Sequence, residues 1–275
     1  MKQHLLQRIL EDPEALSVRF QPILRLSSEG NRVDGMEGLI RGPAGTNFER
    51  ADVLFDYVRR KHAESAVDRR CIATICKAVA DLPPKSRINL NVHASTLGEN
   101  PDFVDFFRRQ ARTLSLPLER FTLEIVEHAP TYNVPGLACN LRALRDLGVR
   151  IALDDVGLGT SNYRMILDCH PDYFKVDAFF VEGISSDPDR RAVMRSVLYL
   201  AKEMKAEVVA EGAHSAADLS VLGELGVELF QAHLLCPPLL PQELRARGFV
   251  EAQADALPSV ARILIDAPVR HPACQ

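Results

Sequence analysis

The residues of this chain best suited to chemistry are acidic, amide and basic side chains at the ends of short apolar segments. Eight segments of strand length, rich in Val, Ile, Leu and Phe, occur between residues 19 and 235. Oxygen donors dominate their ends and no two histidines have zinc-ligand spacing, so the composition favours Mg²⁺ or Mn²⁺ over zinc. The polar residues at or near the segment ends are Glu37, Asn91, Glu124, Glu127, Asp154, Asp155, Lys175, Asp177, Glu211 and Gln231.

The pair Asp154 and Asp155 is the strongest local signal in this set. It ends one apolar segment and precedes Gly157 and Gly159, which permit a tight loop close to a ligand. Adjacent carboxylates repel each other unless a cation lies between them. Two hard cations bridged by an aspartate would suit the hydrolysis of a phosphodiester. Taken alone, the pair is equally compatible with an aspartate N-cap followed by a surface turn.

Other segment ends allow both a functional and a structural interpretation. Asn91 offers a neutral oxygen ligand to a hard cation, although most asparagines at such positions close turns. Lys175 could position water or neutralise a phosphate, or it could belong to a structural ion pair. Glu124 and Glu127, three residues apart on one strand, face opposite sides, so only one of them can enter a shared site.

Three further side chains complete the candidate set. Glu211, which a glycine follows, could serve as a metal ligand or as a general base. Gln231 could hydrogen-bond a base or a water molecule, and Arg41 could pair with a phosphate oxygen. Each of these signals is weak alone, and only their combination predicts a site.

The alternation of apolar segments with helical periodicity predicts an α/β barrel. Near-continuous apolar strands are typical of parallel strands buried on both faces, and their carboxyl ends form the rim where barrel active sites lie. Residues 27–34, between the first two strands, are too few for a helical crossover, so these strands are predicted to be antiparallel. Helices are predicted over 49–80, 101–114, 134–147, 190–204 and 216–225.

The sequence predicts a helical lead-in over residues 1–18, a barrel domain over 19–250 and a C-terminal helical extension and tail over 251–275. The net charge of −4 gives no sign of a nucleic-acid tract or a membrane-seeking surface, so we expect neither DNA nor a membrane as partner. The six cysteines form no C-x-x-C pair, and the N-terminal residues lack a signal-peptide core. Both features predict a cytoplasmic protein with reduced thiols.

Taken in order, these motifs resemble those of the EAL-domain family, bacterial phosphodiesterases that linearise cyclic di-GMP. The similarity extends over nearly the whole chain and rests on FQPI (20–23), MEGLIR (36–41), LNVHAS (90–95), LEIVE (123–127), DDVGLG (154–159), FKVD (174–177), VVAEG (208–212) and FQ (230–231). The resemblance implies a modified TIM (β/α)8 barrel with an antiparallel first strand, in agreement with the short connection after that strand.

The resemblance also implies two divalent cations, Mg²⁺ or Mn²⁺, and a role for each candidate residue. The first cation would be bound by Glu37, Asn91, Glu124 and Asp154. Asp154 would bridge to a second cation, whose site Asp155 completes. The remaining implied roles are catalysis for Glu37, Lys175 and Glu211, substrate binding for Gln21, Arg41, Asp177 and Gln231, and support of loop 155–162 for Glu127.

The function implied by the resemblance is metal-dependent hydrolysis of cyclic di-GMP to linear pGpG by a homodimer. The sequence shows no recognisable sensor or cyclase domain, so we expect regulation by expression, by oligomerisation or by a partner protein. Departures from the family pattern leave two alternatives open. One is a module that binds cyclic di-GMP without cleaving it, and the other is a protein-interaction module that binds no nucleotide. The departures are Gly38 for alanine, the altered loop 156–162, His214 for glutamate and Ala232 for glycine.

Overall fold

The structure is a computed structural model that describes residues 2–27, 30–79, 82, 86–126, 136–158, 162–247 and 249. Within these ranges, eight strands close into one barrel in the order of the sequence. They are β1 (Ser17–Arg25), β2 (Arg32–Arg41), β3 (Arg87–His93), β4 (Phe121–Val126), β5 (Arg150–Val156), β6 (Tyr173–Val176), β7 (Glu207–Glu211) and β8 (Leu229–Gln231). Each strand coincides with a predicted apolar segment. The last segment was expected to run to residue 235, and its strand ends earlier, at Gln231.

Strand β1 runs antiparallel to both of its neighbours, whereas all other neighbouring strands are parallel. It pairs along its whole length with β2, where Gln21 lies opposite Glu37, and it pairs with β8 near its own end. The short connection between β1 and β2 enforces this reversal, because a parallel pair needs a crossover of a dozen or more residues. The predicted fold, a modified TIM (β/α)8 barrel with an antiparallel first strand, is confirmed.

Helices surround the barrel on the outside. In the described part of the chain they are α1 (Lys2–Glu11), α2 (Ala51–Arg60), α3 (Glu64–Ala78), α4 (Ala94–Glu99), α5 (Phe103–Thr113), α6 (Leu137–Asp146), α7 (Asn162–Cys169), α8 (Ala178–Val181), α9 (Pro188–Met204), α10 (Ala216–Leu225) and α11 (Pro241–Ala246). None of the described helices is long and apolar enough to cross a membrane.

The prediction of one helix over residues 49–80 is wrong, because the chain turns between α2 and α3. His62, in this turn, has a left-handed φ of 50°, which a residue inside a right-handed helix does not adopt. The turn allows two shorter helices to bury their apolar faces against the same barrel. Leu54 and Val58 of α2 and Ile72 of α3 all belong to the main hydrophobic core.

Side chains inside the barrel form two layers, because alternate residues of a strand face the same side. The lower layer is largely apolar and contains the cluster of Ile23, Ala152, Tyr173, Val209 and Leu229, with Thr122 beside it. On four parallel strands the residue two positions further along is polar, and these residues are Asp154, Lys175, Glu211 and Gln231. A packed apolar layer therefore closes the barrel beneath a polar layer at its rim.

Gly38, next to Glu37 in β2, allows α3 to approach the sheet closely. A Cβ atom at this position would lie 2.8 Å from Ile75 Cγ2 and 2.9 Å from Ile75 Cδ1, inside van der Waals contact. Ile75 is buried, and branching at its own Cβ restricts the rotamers that could relieve the clash. The glycine thus complements a bulky side chain on the neighbouring helix.

We expect Gly38→Ala to lower the free energy of unfolding by about 1–3 kcal/mol, because it overpacks this contact. Ile75→Ala alone should cost about 2–5 kcal/mol. The double variant should lose less than the sum of the two, since the shortened side chain at position 75 makes room for the new methyl group. Urea-induced unfolding measures all three values.

Gly223→Ala is the matched control, because nothing lies within 4 Å of a Cβ built on this residue of α10. It should leave stability unchanged or raise it by up to about 1 kcal/mol. Losses at positions 38 and 75 that add to within about 0.5 kcal/mol would contradict the proposed contact.

Candidate metal-binding active site

Every strand of the barrel places a polar side chain in the layer at the rim, which we call the rim layer. Most of these side chains are buried, so they must find their partners within the layer itself. The members are Gln21 (β1), Glu37 (β2), Asn89 and Asn91 (β3), Glu124 (β4), Asp154 and Asp155 (β5), Lys175 (β6), Glu211 (β7) and Gln231 (β8).

The ammonium group of Lys175 contacts four carboxylates of the rim layer. Its Nζ atom lies 2.7 Å from Glu124, 2.8 Å from Glu211, 3.3 Å from Asp154 and 3.5 Å from Glu37. Burial acts to lower the pKa of Lys175, but the four carboxylates outweigh it and raise the pKa well above its ordinary value. The layer thus holds more acidic groups than this one ammonium can neutralise.

Two neutral amides orient the carboxylate of Glu37. Asn91 Nδ2 donates to Glu37 Oε1 at 2.6 Å, and Gln231 Nε2 donates to Oε2. Burial acts to raise the pKa of Glu37, but the charge of Lys175 and these two hydrogen bonds outweigh it, so the pKa is lowered. Glu37 is therefore held ionised, which is the form that binds a metal ion.

For Glu124 and Glu211, unlike Glu37, the effect of burial prevails and the pKa is raised. Glu124 accepts a hydrogen bond from Asn89 Nδ2 at 2.6 Å and is fully buried. Burial and then the charge of Glu37 raise the pKa of Glu124 well above its ordinary value. Burial likewise raises the pKa of Glu211 to about 8. Additional positive charge in the layer would favour the ionised form of both carboxyl groups.

Asp154, Asp155 and Glu211 form a compact acidic group whose ligand atoms all lie within 4.8 Å of one another. Adjacent strand residues normally face opposite sides. Here Asp155 has a left-handed φ of 52° and the pairing with β6 shifts between Leu153 and Val156, so both aspartates reach the same site. Burial and then the charge of Asp154 raise the pKa of Asp155 to about 6.

The rim layer fits divalent cations of the Mg²⁺ or Mn²⁺ type. It supplies carboxylate and amide oxygens, which hard cations prefer. Asp154 Oδ1 is buried and has an ionic contact with Lys175 Nζ at 3.3 Å but no hydrogen bond to the described residues, so it keeps capacity to bind a cation.

Two cavities of nearly equal volume meet at the rim layer, and Glu37 and Asp154 line both. The first, which we call the α2 cavity, has a volume of about 390 Å³ and lies between α2, α3 and β3. The second, the β7–β8 cavity, has a volume of about 380 Å³ and is lined by Asp177, His214 and His233 among others. A ligand bound at the carboxylates can therefore extend to either side.

Most of the predicted site residues lie together in the rim layer, whereas Asp177 and Arg41 lie outside it. Gln21 belongs to the layer and donates to the carbonyl oxygen of Cys236 at 3.0 Å. Asp177 lines the β7–β8 cavity but accepts a backbone hydrogen bond at 2.7 Å as the N-cap of α8. Arg41 donates to the neighbouring carbonyl oxygen at 3.0 Å and lines neither cavity. Glu127 lies outside the described residues.

Several residues of the α2 cavity were not anticipated from the sequence, among them Phe55 and Arg59 of α2 and Asp68 of α3. Asp68 Oδ1 lies 2.9 Å from Nδ1 of His93, whose ring is 6.0 Å from the ring of Phe55. The spacing of Phe55 and Arg59 places both on one side of α2, but that pattern alone resembles an ordinary solvent-exposed helix face.

The fold and the site together define a barrel with a polar, oxygen-rich rim. A comparison with models of protein families assigns the chain to one family. The chain belongs to the EAL domain family, whose model matches residues 3–238. The resemblance inferred from the motifs is thereby confirmed over nearly the whole chain.

Several curated relatives are named for cyclic di-GMP, and two of them illustrate the similarity. Cyclic di-GMP phosphodiesterase NbdA of Pseudomonas aeruginosa is 28% identical over 260 residues, which cover 90% of this chain and 32% of that protein. The probable cyclic di-GMP phosphodiesterase PdeG of Escherichia coli is 32% identical over 172 residues, which cover 61% of this chain and 33% of that protein. The chain thus spans about a third of the length of these relatives.

Solved structures show the same barrel. BlrP1 of Klebsiella pneumoniae, solved with cyclic di-GMP and calcium and also with manganese, is 26% identical with a TM-score of 0.74, covering 83% of this chain and 57% of that chain. A standalone EAL protein of Vibrio cholerae, in a form bound to cyclic di-GMP, is 24% identical with a TM-score of 0.71. The match covers 82% of this chain and 93% of that chain. The second likeness concerns the fold alone.

Lys175→Met should destabilise the metal-free protein by about 3–5 kcal/mol, because it leaves buried carboxylates without their shared cation. Urea-induced unfolding in the presence of a chelator measures the loss. Added Mn²⁺ should then raise the melting temperature of this variant more than that of the unchanged protein. Lys202→Met, at an exposed position of α9, is the control, and an equally small loss at both positions would contradict the role of Lys175.

Proposed function

We propose that the protein hydrolyses cyclic di-GMP to linear pGpG in a reaction that depends on Mg²⁺ or Mn²⁺, with two cations bound. The observation that carries this proposal is the position of the oxygen donors at the junction of the α2 cavity and the β7–β8 cavity. The names of the relatives and the complexes of BlrP1 with cyclic di-GMP, calcium and manganese support it.

The presence of two cavities that share Glu37 and Asp154 supports a ligand with two bases. In such a ligand each phosphate joins two nucleosides, so a phosphate at the rim layer directs one base to each side. Cavities of about 390 and 380 Å³ lie on the two sides and fall in the range of ordinary small-molecule sites. A phosphomonoester with a single base would fill only one of them.

Glu37, Asn91, Glu124 and Asp154 would hold the first cation, and Asp154 with Asp155 would hold the second. Bound cations would polarise a phosphoryl oxygen and lower the pKa of water. Neutral Asn91 contributes without adding to the repulsion between the carboxylates. Most of these ligands are buried or half-buried on strands, which keeps their positions fixed.

The protein side chains assist attack and charge stabilisation. The ammonium of Lys175, fixed by Glu124 and Glu211, stabilises negative charge that develops on the phosphoryl oxygens. Glu211, which lies 2.8 Å from Lys175 Nζ, accepts the proton of the attacking water once the positive charge of bound cations favours its ionised form. The water oxygen bonds to phosphorus, the bond between phosphorus and O3′ breaks, and O3′ takes up a proton. Gln231 keeps Glu37 oriented meanwhile.

Chromatography of cyclic di-GMP incubated with purified protein tests the proposal. Mn²⁺ or Mg²⁺ should yield pGpG, and excess chelator should abolish the product. Glu37→Gln keeps the shape of the side chain but removes the charge, so turnover should fall by roughly 100-fold or more. Glu228→Gln, an exposed position before β8 at the opposite end of the barrel, should keep full turnover.

Equal turnover by Glu37→Gln and the unchanged protein would contradict the assignment of Glu37. Intact cyclic di-GMP with both metals, together with binding measured by calorimetry, would replace hydrolysis by a receptor function. Absence of both turnover and binding would favour the protein-interaction module.

We further propose a homodimer formed through α7, which follows the loop after Asp155. Tyr163 and Leu167, four residues apart on this helix, are 76% and 65% exposed. Neighbouring apolar side chains at such exposure mark interaction surfaces. An interface formed by α7 would lie only a few residues along the chain from Asp155, so dimer formation could affect the acidic group. Cytoplasmic localisation and a regulatory protein partner stay predictions from the sequence.

Leu167→Glu should convert the dimer to a monomer in sedimentation experiments, because the interface would have to bury an unpaired carboxylate. Tyr199→Glu, at a comparably exposed position on α9, should leave the dimer intact. A dimer that persists in Leu167→Glu at the same concentration would contradict an interface through α7.

A further inference from the structure

Helix α2 presents a chemically distinct face to the α2 cavity. Asp52, Phe55 and Arg59, spaced three and four residues apart, line this cavity, while Leu54 and Val58 of the same helix are buried in the core. Residues at such spacing share one side of a helix. The core contacts therefore fix the helix in a rotation that directs an aromatic ring and a guanidinium group toward the ligand space.

The α2 cavity is continuous with the proposed catalytic centre. Its lining includes Glu37, Asn91, Asp154 and Asp155 of the rim layer as well as the residues of α2. A nucleotide whose phosphate lies at these oxygen donors has its attached base within reach of this cavity. The side chains that line the cavity then determine which base binds there.

Arg59 keeps its donors available for such a ligand. In the described part of the chain its side chain has one ionic contact, with Asp56 at 3.7 Å, and is 34% exposed. Arg41, the arginine expected from the sequence to meet the ligand, donates instead to a neighbouring carbonyl oxygen. Arg59 lines the α2 cavity, and among the described residues no other arginine lines either cavity.

We propose that Arg59 reads the guanine edge of a cyclic dinucleotide in the α2 cavity, with Phe55 packed against the base. This inference rests on the proposed function and names the residue that sets its base specificity. Guanine presents two acceptors, O6 and N7, which match the paired donors of an arginine. Adenine presents a donor in place of O6, so the same arginine meets only one acceptor. Phe55 contributes stacking, which every base accepts.

Calorimetric titration with cyclic di-GMP and with cyclic di-AMP, both in the presence of Ca²⁺, tests this specificity. The unchanged protein should prefer cyclic di-GMP. Arg59→Gln should weaken cyclic di-GMP binding by roughly tenfold, the loss expected for one bidentate base contact, and should weaken cyclic di-AMP binding much less, because adenine offers the arginine only one acceptor. Arg59→Lys should lose most of the preference as well, because an ammonium group cannot pair bidentately.

Arg60→Gln is the matched control. Arg60 is the next residue of α2, pairs with the same Asp56, is 76% exposed and does not line the cavity. It should bind both ligands as the unchanged protein does. Phe55→Leu should weaken both dinucleotides to a similar degree, because stacking does not distinguish the bases.

The outcomes separate the base subsite from the proposed function. Unchanged cyclic di-GMP binding by Arg59→Gln would overturn the subsite alone. Equal weakening of both dinucleotides would also overturn it, since Arg59 would then contact a phosphate. If the unchanged protein binds neither ligand with Ca²⁺ or Mn²⁺, the proposed function falls and the subsite with it. Thermal melting of each variant verifies that it is folded.

Discussion

The ion pairs between the ammonium of Lys175 and four carboxylates are the interaction on which this site depends. The carboxylates come from β2, β4, β5 and β7, so one cation draws the ends of separate strands toward a common centre. Burial, together with repulsion between carboxylates that one positive charge cannot offset, raises the pKa of Glu124 and of Glu211. The rim layer thus carries excess negative charge that a divalent cation would neutralise. Lys175 reduces the repulsion between the carboxylates and so keeps the strand ends together.

Neutral amides complete the arrangement without removing that imbalance. Asn91 and Gln231 orient Glu37, and Asn89 orients Glu124, each through one donated hydrogen bond. A second lysine or arginine could have donated the same bonds, but its charge would have opposed a metal ion. Amides fix the direction of a carboxylate while leaving its negative charge for another ligand. The selection of residue types in the rim layer therefore follows from two simultaneous requirements, orientation and retained charge.

Sequence periodicity predicted the features that recur along the chain, such as the polar residues at strand ends. It did not predict the positions at which a single residue changes the direction of the chain. Strand ends such as Asn91 and Lys175 were predictable, because parallel strands end at one rim and alternate residues share a face. The turn at His62, which divides a predicted helix, and the left-handed Asp155 were not, since neither position carries a glycine. Arg59 was missed for a different reason: a helix face that lines a cavity has the same polar composition as one that meets solvent.

The two cavities differ in chemistry, although cyclic di-GMP, the proposed substrate, has two equivalent halves. The α2 cavity offers Phe55 and Arg59, whereas the β7–β8 cavity is lined by His214 and His233. An asymmetric site presents only one of two identical phosphodiester bonds to the rim layer at a time. After that bond breaks, the product is a linear dinucleotide. Binding its second phosphate at the rim layer with both bases in the cavities would cost more conformational entropy than binding the cyclic substrate, because the ring already restricts the cyclic form. Such a site favours release of the linear dinucleotide over a second cleavage.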